Sequence, residues 1–419
     1  MTDRTTAIGI DLRDDFSEIS YCKKEESNVT TFKVGEEEEN FEIPTAACKL
    51  PGEGEWLFGH EAVAAAEEYN LTLIDKLISK AETGKRVFIN EIETADPQRL
   101  LGMYISYLLT LPSEVSKYDI ASIVLTVDKV GSEIPFILDR ALEKFKKDVP
   151  YIRYVSHAES FFYYALSHPI ELWRDGVLLY DYTDRHFRMS RLLVDTSVKP
   201  AVVQTAENEF ADMLPFSEDN PEVYDNMFRE IVENELIKGR VSAVYLTGTA
   251  FKGRWAEKTF RYLCSRTRVF AGQNLYTKGA CYAAADLAGW TRLGSRYIFM
   301  DETRIHANIS LRAESDGKEA EIDLVSAGVS WYDVDASFEC MLGADRKIDL
   351  LIKSCDDGEE RNAVIRCDWI PERPERTTRI YLHLSCPNAS ELAVRVTDLG
   401  FGEIFQSAGL SKEEIIEIG

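Results

Sequence analysis

The chain is 419 residues long, 45% hydrophobic and 11% aromatic, so it can bury more than one ordinary core, and two or three domains are expected. Its 72 acidic residues against 48 basic ones leave a net charge of -24. That charge excludes a general binder of nucleic acid or anionic membrane, since both need a basic surface, while leaving room for a local basic patch. No run reaches the roughly 18 uncharged apolar residues of a spanning helix, and the start at Met1 carries no charged-then-apolar leader, so a soluble cytoplasmic protein is expected.

Strand-like runs open the chain at 7–12, 19–22 and 29–34, with turn residues between them, and read as meander hairpins. The four glutamates at 36–39 read as a solvated turn, because carboxylates without nearby donors stay in water. From 58 to 80 the spacing turns helical, with Ala62, Ala65, Ala66, Leu71, Ile74, Leu77 and Ile78 recurring at three and four residues. A second helix is expected from Asp96-Pro97 to about 111–112, then a buried strand at 120–127 and a helix at 134–147. The plan then repeats, with strands at 176–182 and 187–194, a helix at 223–238, a strand at 243–247 and an alanine-rich helix at 277–288. After about Leu293 the segments 305–313, 347–354, 362–368, 378–384 and 392–398 are short and mostly alternate in polarity, the pattern of an antiparallel all-β module. The stretch 297–301 reads as its connector and 398–403 as a hairpin turn closing it.

Eight cysteines contain no CxxC pair, and six histidines stand at no metal-ligand spacing, so neither a zinc knuckle nor a thioredoxin-type site is written here. The thiols read as small apolar residues kept reduced. The cluster Phe161-Phe162-Tyr163-Tyr164 reads as a packed helix face.

Three apolar runs end in polar turns, where the carboxyl end of a buried strand can face a ligand. They are Ile8-Gly9-Ile10-Asp11-Leu12-Arg13-Asp14-Asp15, Leu178-Leu179-Tyr180-Asp181-Tyr182-Thr183-Asp184 and Val244-Tyr245-Leu246-Thr247-Gly248-Thr249-Ala250. Their order resembles the phosphate-one, phosphate-two and adenosine segments of the superfamily containing actin, sugar kinases and the seventy-kilodalton heat-shock chaperones. Ile43-Pro44-Thr45, Leu57-Phe58-Gly59-His60-Glu61-Ala62, Ile123-Val124-Leu125-Thr126-Val127 and Lys278-Gly279-Ala280 are similar to further chaperone segments in the same order. The resemblance implies an α/β two-lobed actin-like ATPase fold with duplicated ribonuclease-H-like lobes over 1–293, lobe I about 1–170 and lobe II about 171–293. It implies that 294–419 is an antiparallel β-sandwich like the chaperone substrate-binding domain, without the helical lid. It implies ATP with Mg2+ as cofactor, the aspartates matching Asp11 and Asp181 holding the hydrated metal. Arg13, Asp14, Thr183, Arg185, Gly248, Thr249 and Lys252 would then line the nucleotide site. Lys252, Arg254 and Trp255 would face the adenine or its ribose, with a core position for Trp255 as the alternative. For the two aspartates the alternative is structural hydrogen bonding.

The departures from the family pattern fall on the parts that do chemistry. Arg13-Asp14 stands where the family has Gly-Thr, and a side chain obstructs the close backbone approach that glycine permits. Asp14 and Asp15 add negative charge, and one like-charge contact at about 4 Å costs about 4 kcal/mol at an effective dielectric near 20. Arg13 offsets part of this by pairing with them or with a phosphate. Thr183-Asp184-Arg185-His186 replaces a glycine triplet and a threonine. The family's catalytic lysine falls on Val63, and its relay proline on Asp128. The expected function is therefore a chaperone-like protein with a degenerate nucleotide cleft, a protein- or peptide-binding scaffold that holds its partner on the β-sandwich and hydrolyses ATP weakly or not at all. The alternative is an active ATPase or kinase with non-standard phosphate loops, using Asp11 and Asp181 with magnesium.

Overall fold

The computed structural model describes residues 4–419 apart from 27, 36–39, 53, 117, 132, 198, 218–219, 316–317 and 356–357. The turn read at 36–39 and the first three residues thus lie outside the described residues. The chain is mixed α/β followed by a β-rich part, and it divides into compact units Met1–Phe299 and Met300–Gly419.

In the first unit β1 (Thr6–Leu12) and β2 (Phe16–Lys23) make an antiparallel hairpin extended by β3 (Thr30–Thr31). Short strands β4 (Ile43–Pro44), β5 (Ala47–Lys49) and β6 (Trp56–Phe58) lead into α1 (Gly59–Glu68) and α2 (Leu77–Thr83). The helical stretch expected at 58–80 is thus broken, because Asn70 and Lys76 take left-handed φ values of 48° and 51° that a right-handed helix does not continue through. After the hairpin β7 (Val87–Phe88) and β8 (Thr94–Ala95), α3 (Pro97–Leu108) starts where the Asp96 side chain accepts from the Gln98 and Arg99 amides and proline takes the first turn. Then come β9 (Ile120–Val127), α4 (Ile134–Ala141), β10 (Tyr151–Ser156) and α5 (His157–Leu166). The sheet order is β10-β9-β1-β2-β3, with β10, β9 and β1 parallel.

The same arrangement recurs. Strands β11 (Val177–Tyr182), β12 (Phe187–Asp195) and β13 (Ala201–Glu209) run antiparallel, and α6 (Pro221–Ile237), β14 (Ala243–Thr247), α7 (Glu257–Cys264) and β15 (Arg268–Ala271) complete the order β15-β14-β11-β12-β13. Helix α8 (Leu275–Leu287) then returns to the first sheet, and after the short α9 (Leu293–Arg296) the strand β16 (Tyr297–Met300) adds to β13. The stretch read as a connector is therefore a strand of the second sheet. Period-two alternation turns Ala7, Gly9 and Asp11 of β1, and Val177, Leu179 and Asp181 of β11, to one side. On that side Ala7, Val177 and Leu179 share a core with Phe161 and Phe162 of α5 and Ala280 and Cys281 of α8. Residues Leu178, Tyr180 and Tyr182 turn to a separate aromatic core with Phe228, Phe251 and Trp255.

The second unit contains β17 (Ala307–Ser315), β18 (Lys318–Val325), β19 (Asp335–Met341), β20 (Lys347–Ser354), β21 (Glu360–Arg366), β22 (Arg379–Asn388), β23 (Glu391–Gly400) and β24 (Ser411–Glu417). They form two four-stranded sheets, β18-β17-β20-β21 and β19-β22-β23-β24, whose inner faces share one core that includes Ile309, Leu350, Leu382 and Val394. Near the end of β23, the buried Asp398 carboxylate accepts from Arg373 at 2.6 and 2.7 Å, which holds it at about 2 against its burial.

Candidate functional site

Each six-stranded sheet of the first unit carries one polar rung near the carboxyl ends of its parallel strands. In the first, Asp11 lies between Glu18 of β2 and Thr126 of β9; in the second, Asp181 lies between Arg188 of β12 and Thr247 of β14. Residues opposite one another in register share a face, so these side chains continue the faces that carry the shared core. All six are buried, with at most 6% of their surface exposed. A charge removed from water to this degree must be paired, bonded or neutral.

The pairing is internal. Arg13 Nε donates to Asp11 Oδ2 at 3.0 Å and His157 Nε2 to Asp11 Oδ1 at 2.7 Å. The Tyr276 hydroxyl donates to Asp181 Oδ2 at 3.0 Å, and His186 Nε2 stands 3.4 Å from the same oxygen. The His157 and Tyr276 rings stack at 4.1 Å, and the Arg13 guanidinium lies 5.3 Å from the Tyr276 ring and 5.0 Å from Phe16. Arg188 grips Asp128 with both terminal nitrogens and reaches Glu209 at 3.0 Å, a tie from β12 to the end of β9.

Burial opposes ionisation of Asp11, yet Arg13 and His157 hold its carboxyl below the usual range. Asp181 behaves alike, burial being outweighed by His186 and Arg13, and sits at about 2. Burial would lower Arg13, but Asp11 and Asp181 raise it above its ordinary value. Glu18 is the exception. Burial and then the neighbouring Asp11 push its carboxyl well above the usual range, and neither of its oxygens has a hydrogen-bond partner among the described residues.

A carboxyl raised in this way takes up a proton on folding, so the contribution of Glu18 is fully present below about pH 4.3, the reference for Glu. That contribution is then lost as pH rises toward the folded value. Glu18→Gln is therefore expected to leave stability unchanged at pH 4 and to raise it at pH 8, by about 1.4 kcal/mol or more, the worth of a tenfold change in the protonation equilibrium. Thermal melts at the two pH values check this. An equal shift at both, or a loss at pH 8, would mean that Glu18 is ionised and satisfied in the fold.

Of the residues singled out in the sequence, Asp11, Arg13 and Asp181 meet. Asp14 binds elsewhere, accepting from the Ser79 amide and hydroxyl in the first turn of α2. Thr183 closes its own turn, its hydroxyl accepting from the Arg185 and His186 amides at 3.2 Å each. Arg185 reaches Asp15 at 3.8 Å and so joins the two polar turns. Gly248 has φ 99°, and a Cβ there would lie 2.2 Å from the Tyr182 carbonyl oxygen, so the close turn after β14 requires glycine. Thr249 is exposed. Lys252 pairs with Glu42 at 2.7 Å, and Trp255 is buried in the aromatic core with its ring N–H on the Ala250 carbonyl, the packing alternative.

Glu18, His157, Arg188 and Tyr276 were not foreseen as site residues. Hairpin register was the available signal for two of them: pairing 7–12 against the following strand puts Glu18 beside Asp11, and pairing 177–182 against 187–192 puts Arg188 beside Asp181.

A hydrated magnesium takes oxygen ligands in near-octahedral geometry, retains several waters and binds through carboxylates left free to face it. Here both oxygens of Asp11 and one of Asp181 are engaged by donors of the chain itself. Among the described residues, no three His, Cys, Asp or Glu side chains gather as a cation cage. The donor set does not fit magnesium nucleotide. It fits a cluster that neutralises its own charge.

A family model described as "Family of unknown function (DUF5716) C-terminal" matches residues 28–302, more than half of the chain. A second, described as "Domain of unknown function (DUF8552)", matches residues 304–418, so the two meet close to the division between the compact units. A search of curated proteins finds no match to the chain.

Proposed function

We propose, for a chain that belongs to the DUF5716 family of unknown function, a chaperone-like scaffold in which an actin-like two-lobed domain keeps its cleft shut with its own charges. The observation that carries this reading is Arg13, paired with the buried Asp11 and within the field of Asp181, where the resembled proteins hold magnesium. The recurrence of one five-strand arrangement in both sheets supports the actin-like duplication. Val63, half-buried on α1, supplies no donor for phosphoryl transfer. One observation favours the competing ATPase reading: Asp181 Oδ1 has no hydrogen-bond partner among the described residues and is the one aspartate oxygen left for a ligand. A cytoplasmic location is part of the proposal.

Partner binding belongs to the second unit in this reading. Its two sheets end in edge strands, β18, β21, β19 and β24, whose outward backbone groups can add an extended peptide strand. A pull-down comparing the full chain with one ending at Glu302, which keeps β16 in place, tests it. Partners recovered by the full chain should be lost from the shorter one. Equal recovery of the same partners by both would move the binding function to the first unit.

A further inference from the structure

The second sheet has an opposite end, where the chain enters its parallel strands. Asp175, Arg240 and Arg266 come shortly before β11, β14 and β15, and the end of α6 lies beside them. With Ile237 and Tyr262 they line a surface groove of about 550 Å³. The Tyr262 ring has the Arg229 guanidinium 3.3 Å and the Arg266 guanidinium 3.7 Å from its centroid. Two groups that close cannot share one face, so the ring is clamped between them and fixed in orientation.

The charges on this groove are unequally committed. Glu233 holds Arg229 at 2.6 Å, and Asp175 stands 3.8 Å from Arg174. Arg266 donates to the Ser265 hydroxyl at 3.2 Å, but neither it nor Arg240 has a carboxylate within ion-pair distance among the described residues. Beside them Ile237 is 82% exposed at the end of α6. Two guanidinium groups without carboxylates, one of them held on an aromatic ring, and an apolar anchor together make the composition of a peptide contact.

We propose that this groove docks an extended acidic segment of a partner protein, with carboxylates on Arg240 and Arg266 and an aliphatic side chain against Ile237. A nucleic-acid backbone would meet the same two arginines, but it carries a charge at every nucleotide against a chain of net charge -24 and has no aliphatic side chain to set against the exposed Ile237. The groove lies away from the aspartates, and its role stands independently of the cleft.

Fluorescence anisotropy on the full chain tests the proposal, with a labelled heptapeptide of alternating glutamate and leucine, its glutamine–leucine counterpart and an oligouridylate as probes. The glutamate–leucine peptide should bind saturably and at least tenfold more tightly than the glutamine version, and should weaken with added salt. The double variant Arg240→Gln with Arg266→Gln, both exposed positions, should weaken it at least tenfold, and Ile237→Asp should weaken it without touching either arginine. Arg395→Gln in the second unit should change nothing. Absence of binding, equal binding of both peptides, binding indifferent to the double variant, or tighter oligouridylate binding lost in that variant would each overturn the proposal.

Discussion

Arg13→Met is expected to lower stability by about 3–5 kcal/mol, the range for removing one partner of a buried ion pair. The side chain it removes is the guanidinium on Asp11 Oδ2, and the loss leaves a fully buried carboxylate with His157 as its remaining partner. Adding Asp11→Asn should recover much of the loss, because a neutral amide no longer needs a counter-ion. The pH dependence has a definite sign. Asp11 and Asp181 are held below their ordinary values, the second at about 2. Their contribution is therefore present above the unfolded value of about 3.9 and is lost as pH falls through the folded one. The penalty of Arg13→Met should shrink over that same acid window. Denaturant melts of the single and double variants at pH 7 and pH 3 measure it. A loss below about 1 kcal/mol, the usual worth of a surface pair, would show that Arg13 is not the internal counter-ion.

Gly9→Ala is expected to cost about 3 kcal/mol or more, at the upper end of overpacking effects. A Cβ on Gly9 would lie 2.2 Å from the Cys281 amide nitrogen and 2.4 Å from the Thr277 carbonyl oxygen, both backbone atoms that cannot rotate away. Helix α8 is held there against β1 and continues to α5, where Gly279 meets the Ser160 carbonyl just as closely. Displacing α8 would also move Tyr276 from Asp181. Gly131→Ala is the matched control, since nothing lies within 4 Å of a Cβ there. Equal melts for the two variants would mean that α8 is free to shift and does not fix the cleft.

The elements most legible in the sequence are those buried on both faces. Strands β9 and β14 coincide with the runs read at 120–127 and 243–247, since every residue in them is buried and the apolar run has sharp ends. Strands β13, β18, β19 and β24 escaped because only a minority of their positions are buried and their exposed faces carry charge, which dilutes the alternation. Strand β10 escaped for a related reason, its first half being exposed at Tyr151 and only half-buried at Ile152 and Arg153 before it turns buried at Tyr154. In the site, Asp11 and Asp181 stood out because a carboxylate ending an apolar run is costly unless used. What engages them was hidden by distance along the chain: His157 is 146 residues from Asp11, and Tyr276 is 95 from Asp181. Arg13, read as pairing with Asp14 and Asp15 or with a phosphate, pairs with Asp11, two residues away. Side-chain direction at a strand end explains that pairing, because Asp11 points to the shared core while Asp14 turns to α2.

Calorimetric titration of the full chain with magnesium-ATP bears most directly on a cleft neutralised from within. The account predicts no heat of binding up to millimolar nucleotide for the wild type, and measurable binding once Arg13→Gly with Asp14→Thr removes the guanidinium and one repelling carboxylate. Micromolar binding by the wild type that is abolished by Asp11→Asn and weakened by the double change would contradict it, and would make Arg13 a phosphate ligand.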